Sequence, residues 1–103
     1  MPRVRVSTEA AQELEEAAAW YEKQRPGLGA RLLDTFENAT VLLGGELPPL
    51  VPMPGAAGER GVKRLLLHRF PFSLALNEMN DEIIIIALVH HSRRPGYWRD
   101  RLP

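Results

Sequence analysis

The chain has 103 residues, enough for one small domain with one core and too few for separate catalytic and regulatory domains. It has no cysteine, which excludes disulfides, a thiolate zinc site and a cysteine nucleophile. Thirteen Lys and Arg balance thirteen Asp and Glu, so it lacks the large positive field of non-specific nucleic-acid binders.

Residues 3–6 alternate polar and apolar and predict a short first strand. Ser7 or Thr8 can cap a following helix over 8–23, with Glu9 favourable in its first turn. Leu14, Ala17, Ala18 and Tyr21 recur at three and four, an apolar stripe, while Glu13, Glu15, Glu16, Glu22 and Lys23 read as solvated surface. Arg25-Pro26-Gly27 separates this helix from the next, whose stripe is Leu28, Leu32, Phe36, Ala39 and Leu43 and whose stop is Gly44-Gly45. A short Pro-Gly connection between two amphipathic helices predicts an antiparallel hairpin.

Residues 46–61 hold four prolines and three glycines among 48, 49, 52, 54, 55, 58 and 61, and predict a loop with little regular structure. Strands follow over 62–70, 72–79 and 82–91, with Pro71 at a turn or edge and Asn80-Asp81 as a tight turn. The tail from 95 to 103 is polar and aromatic, with room for one helical turn. The reading is a single α+β domain over 1–103, of order βααβββ. A four-stranded antiparallel sheet packs against the N-terminal helical hairpin.

Charge is unevenly spread over this plan. Residues 1–59 carry five basic and nine acidic residues, and residues 60–103 carry eight and four. The helical half is acidic and the sheet half basic, which suits either an anionic partner for the C-terminal face or Arg at exposed sheet positions. The first residues show no long apolar stretch of the signal-peptide kind, and no run approaches the roughly 18 residues of a membrane span. A soluble cytoplasmic protein with no membrane partner is expected.

The last quarter carries the candidate chemistry. Residues 83–89 are all apolar and mostly β-branched, a strand buried on both faces that runs into His90, His91, Arg93, Arg94, Tyr97 and Trp98. Neighbouring strand residues face opposite sides, so one of His90 and His91 is expected on the helix side and the other on the open face. No cofactor is expected, and with His68 the one further histidine no metal site is expected either. Arg64 and one of Arg93 and Arg94 are positioned to converge if their strands are neighbours, and guanidinium pairs suit phosphate or carboxylate. Lys63 and Arg69 flank the same strand. Tyr97 and Trp98 suit stacking on a base, and Trp98 equally suits packing that ties the tail down. Leu65, Leu67, Leu74 and Leu76 alternate as the inner core face, opposite Arg64, Leu66, His68, Ser73, Ala75 and Asn77, a mixed set fit for an open face or a docked partner.

Three stretches together resemble the RelE/ParE toxin superfamily. They are the hairpin segments Glu13-Leu14-Glu15-Glu16-Ala17, Trp20-Tyr21-Glu22 and Gln24-Arg25-Pro26-Gly27-Leu28-Gly29, then Arg64 with Phe70-Pro71-Phe72, then residues 85–90 and 93–98. The family commonly has Tyr where Phe72 stands. The resemblance implies the toxin of a bacterial type II toxin–antitoxin pair, of the kind also described as plasmid stabilisation proteins. Such a toxin is cytoplasmic, neutralised by a cognate antitoxin, and inhibits growth. One branch of the family poisons DNA gyrase and another cleaves mRNA on the ribosome; other members have no proven target. Under ribosome-dependent cleavage, Arg64 and Arg93 or Arg94 would stabilise the phosphate, Tyr97 would contact the nucleotide, and His90 or His91 would serve as base or acid. The ribonuclease members are strongly basic whereas this chain is neutral, so the gyrase-type branch is the expectation. There, Arg64, Arg93, Arg94, Tyr97 and Trp98 would be target contacts without chemistry. A non-toxic member that only binds an antitoxin is the third reading.

Overall fold

The structure is a computed structural model that describes residues 2–45, 50–92 and 96–102, with the backbone alone at Ala57. In chain order it holds β1 (Arg3–Val6), α1 (Thr8–Gln24), α2 (Leu28–Gly44), β2 (Val51–Pro52), α3 (Ala56–Glu59), β3 (Lys63–Leu66), β4 (Phe72–Met79) and β5 (Glu82–His90), then a 3-10 turn at Arg99–Arg101. Ser7 caps α1, its hydroxyl accepting from the Ala10 amide. The N-cap of α2 is Gly27, which has no side chain to offer. Glu22 on α1 supplies the acceptor instead, taking the amides of Gly27 at 2.8 Å and Gly29 at 3.0 Å. Glu22 therefore joins the two helices, a role its reading as solvated surface did not include.

The sheet has five strands in the order β1-β5-β4-β3-β2 and is mixed, which corrects the expected four-stranded antiparallel sheet. β1 lies parallel to β5, with Arg3 opposite Glu82 and Val6 opposite Ile85. Alternation in residues 3–6 fixes which side chains face the core, and it carries no information on the neighbour or direction the strand takes. The extra strand, β2, comes from the proline-rich stretch and pairs Val51 with Arg64 and Pro52 with Lys63. Pro52 has no amide to donate, and the sheet edge is where that is tolerated. β2 and the one-turn α3 are the regular structure found within 46–61, the stretch expected to hold little of it; residues 46–49 lie outside the described residues. β3 stops at Leu66, short of the expected 70, because the chain turns through 67–71, with the Leu67 amide donating to the Phe72 carbonyl at 2.9 Å and Arg69 held at φ 69°.

The helical hairpin covers one face of the sheet. Leu32, Phe36, Ala39 and Leu43 of α2 and Ala10 and Ala18 of α1 meet Leu74, Leu76, Ile83, Ile85 and Leu88 in the main core. Leu67 joins them and Leu65 packs against them, so the alternating leucines are the inner core face as expected. A second, smaller core lies on the opposite face, where Val62, Ala75, Ile86 and Ala87 are covered by Trp98, with Tyr97 and Leu102 packed beside it. That face, expected to be open, is thus partly closed by the chain's own tail.

A bulge in β5 builds both cores from one strand. Leu76 pairs with Ile85 and Ala75 with Ala87, so Ile86 has no partner in register. Ile86 and Ala87 consequently both face the tail, and Leu88 returns to the helix side.

Candidate functional site

β1 ends at Val6, opposite Ile85, so the edge of β5 from Ile86 onward has lost its neighbouring strand. Unpaired backbone groups buried at such an edge are costly. Besides the Ser7 hydroxyl, which donates to the Ile86 carbonyl at 3.3 Å, three side chains take the place of the strand. Glu13 on α1 accepts from the Leu88 amide at 3.2 Å. Arg101 donates through Nη1 to the Ile86 carbonyl at 3.1 Å, and the Tyr97 hydroxyl donates toward the Leu88 carbonyl at 3.2 Å. The three also hold one another: Arg101 Nη1 meets Glu13 Oε1 at 2.7 Å, the Tyr97 hydroxyl bonds Glu13 Oε2, and the Arg101 guanidinium lies 5.4 Å from the Tyr97 ring centre. The Glu13 and Arg101 side chains are only 18% and 20% exposed.

Two sequence readings change here. Glu13 is a half-buried acceptor of three hydrogen bonds and not solvated surface. The signal was its place three residues after Ala10 and one before Leu14, on the apolar side of α1. Tyr97, read as a target or nucleotide contact, has its hydroxyl engaged in the tail clamp. Nothing in the pattern of the sequence marked Arg101.

Trp98, read as a target contact or a packing residue, is 1% exposed and packs on the sheet. Arg93 and Arg94, one of which was expected to converge with Arg64, lie outside the described residues. His90 and His91, expected on opposite faces, both border the cleft described below, though their rings have different partners. The His90 ring meets Phe72 edge-on at 5.1 Å, on the helix side, and its Nδ1 takes the Ser92 amide at 3.0 Å. His91 Nε2 lies 2.9 Å from the hydroxyl of Ser73, the one polar residue buried in the sheet among the described residues. Lys63 pairs with Glu78 at 2.8 Å, Arg69 is exposed, and Trp20 points outward, edge-on to Tyr21. Among the described residues no group of His, Asp and Glu is placed to hold a metal ion.

Between the β2–α3 stretch and the tail, a cleft of about 390 Å³ opens over the far end of the sheet. Met53, Leu66 and Val89 make apolar wall, Ser73 and His91 line it, and Arg64, Trp98 and Arg99 face it. Arg64 lies opposite Ala75 in the register, and small side chains there leave room for its guanidinium. Arg64 Nε and Trp98 Nε1 are both buried without an acceptor among the described residues. Buried donors of this kind are rare and each calls for an explanation.

No protein-family model matches the sequence, and no curated protein matches it significantly. The architecture does match. A chain in a solved structure described as "Chromosomal ParDE TA system from P. aeruginosa" superposes with a TM-score of 0.74. It is 20% identical, and the match covers 87% of this chain and 96% of that one. The fold is ParE-like. The N-terminal helical hairpin packed on a sheet is as the resemblance anticipated, while the sheet is five-stranded and mixed where a four-stranded antiparallel one was expected. In this ParE-like chain no helix among the described residues is long and apolar enough to cross a membrane.

Proposed function

We propose that this chain is the toxin of a type II toxin–antitoxin pair, a cytoplasmic protein neutralised by a cognate antitoxin, that inhibits growth by binding a housekeeping target, DNA gyrase in the first place. The observation that carries the reading is the superposition, over most of both chains, on a chain of a ParDE system. Binding is favoured over chemistry by two features. Net charge is zero, where docking on a ribosome calls for a strong positive field. The Tyr97 hydroxyl, the nucleotide contact under the ribonuclease reading, is engaged by Glu13 and the Leu88 carbonyl. On this reading Arg64, Arg93 and Arg94 are target contacts, of which Arg64 lies beside Trp98 in the cleft.

The test is growth of a bacterial host expressing the chain alone and with the small protein encoded beside it. Arrest by the chain alone, relieved by the neighbour, is the expected result. Full growth under strong, verified expression contradicts the toxin reading and leaves the non-toxic, antitoxin-binding reading in its place.

A further inference from the structure

The cleft beside Arg64 is unbalanced in charge. Arg64 and Arg99 face it with His90 and His91, and no carboxylate lines it among the described residues. Three acidic residues are committed elsewhere, Glu78 to Lys63, Glu82 to Arg5 and Glu13 to Arg101. Neither the Arg64 nor the Arg99 side chain makes an ion pair or hydrogen bond with a described residue, and Arg64 Nε is out of reach of water as well. A half-buried guanidinium without an acceptor is an expensive arrangement in a free chain. Beside it, Leu66 is 58% exposed, and Met53 and Val89 continue an apolar wall. A small inorganic anion would meet the cations and leave this wall wet. A peptide acid brings the carboxylate together with apolar neighbours.

We propose that the cleft seats an acidic side chain of the cognate antitoxin, its carboxylate forked on Arg64 and supported by Arg99, with flanking apolar side chains on Met53, Leu66 and Val89. The partner's identity rests on the toxin reading; the acceptor chemistry is read from the cleft. Planar guanidinium suits bidentate capture of a carboxylate, and Arg anchors set in partly apolar pockets dominate the energetics of many interfaces.

The experiment is calorimetric titration of the full chain with the antitoxin encoded beside it. Arg64→Glu is expected to weaken binding by about thirtyfold or more, the size of an interface anchor. Arg64→Lys, which keeps the charge and loses the fork, should fall between. Arg64→Gln takes the place of the Glu variant if that variant fails to fold, as judged by its melting curve. The decisive arm changes each antitoxin Asp and Glu to Arg in turn. One such change should restore binding to Arg64→Glu while weakening binding to the parent chain. If Arg64→Glu and Arg99→Glu both bind within about threefold of the parent, or if no charge reversal rescues, the proposal is overturned and the toxin reading stands. If the parent chain binds no neighbour-encoded protein, both fall. Inorganic phosphate that saturably shifts the Trp98 indole resonance, with antitoxin binding untouched by Arg64→Glu, would assign the cleft to a phosphate ligand and equally overturn the proposal.

Discussion

Replacing Glu13 with Ala should be among the most destabilising single changes in this chain, although the residue is an acid on a helix rich in acids. Its carboxylate accepts from Arg101 Nη1 at 2.7 Å, from the Leu88 amide at 3.2 Å and from the Tyr97 hydroxyl. Both partners of the ion pair are four-fifths buried, so solvent screening removes little of it. Truncation strands a largely buried guanidinium and a strand amide, and breaking a buried pair in this way costs about 3 kcal/mol, the low end of the usual range, because this edge lies near the surface. For a domain of about this size that is a fall in Tm of roughly 12 °C or more. Tyr97→Phe removes one hydroxyl from the same clamp and should cost about 1 kcal/mol. The double variant should be less destabilised than the two singles imply, by roughly 0.5 kcal/mol or more, because the singles share a hydrogen bond. Urea titration followed by circular dichroism measures all three. Glu13→Ala within about 0.5 kcal/mol of the parent, the range of an ordinary surface change, would refute the clamp as the substitute for a missing strand.

Three further outcomes follow from the packing. Gly29→Ala gains helix propensity, yet its Cβ would stand 2.4 Å from the Ala18 carbonyl oxygen, so the variant should lose about 1 to 3 kcal/mol in the same assay; a rise in stability would contradict the close approach of α1 and α2. Ser7→Ala removes the α1 cap and a bond to the Ile86 carbonyl at 3.3 Å, and should cost about 1 kcal/mol. Trp98→Ala should cost about 3 to 5 kcal/mol and speed amide exchange in residues 96–102 by hydrogen-exchange mass spectrometry; unchanged exchange there would contradict its role in fastening the tail.

The hairpin was legible because 3.6-residue periodicity is written in Leu14, Ala17, Ala18 and Tyr21 and again in Leu32, Phe36, Ala39 and Leu43. The alternating leucines of β3 and β4 gave the core face for the same reason. What escaped was non-local. Whether residues 3–6 pair parallel or antiparallel depends on contacts some eighty residues away. The bulge at Ile86 is invisible in a continuous apolar run, where any register looks equally buried. That bulge and the end of β1 create the demand that Glu13, Tyr97 and Arg101 meet, so their roles could not be read before the edge was known. At the site, the sequence offered Arg64 as a candidate anion-binding cation, and the structure leaves its Nε buried without an acceptor among the described residues. The wall that Trp98 and Met53 build around it required the tail's path.

Pulse labelling of DNA and protein synthesis after inducing the chain alone tests the proposed function most directly. A binder of DNA gyrase should stop DNA synthesis first, with protein synthesis continuing for several generations of label. A fall in protein synthesis within minutes, ahead of DNA, would contradict it and return the chain to the ribonuclease branch, with Arg64 and Tyr97 again its candidate catalytic groups.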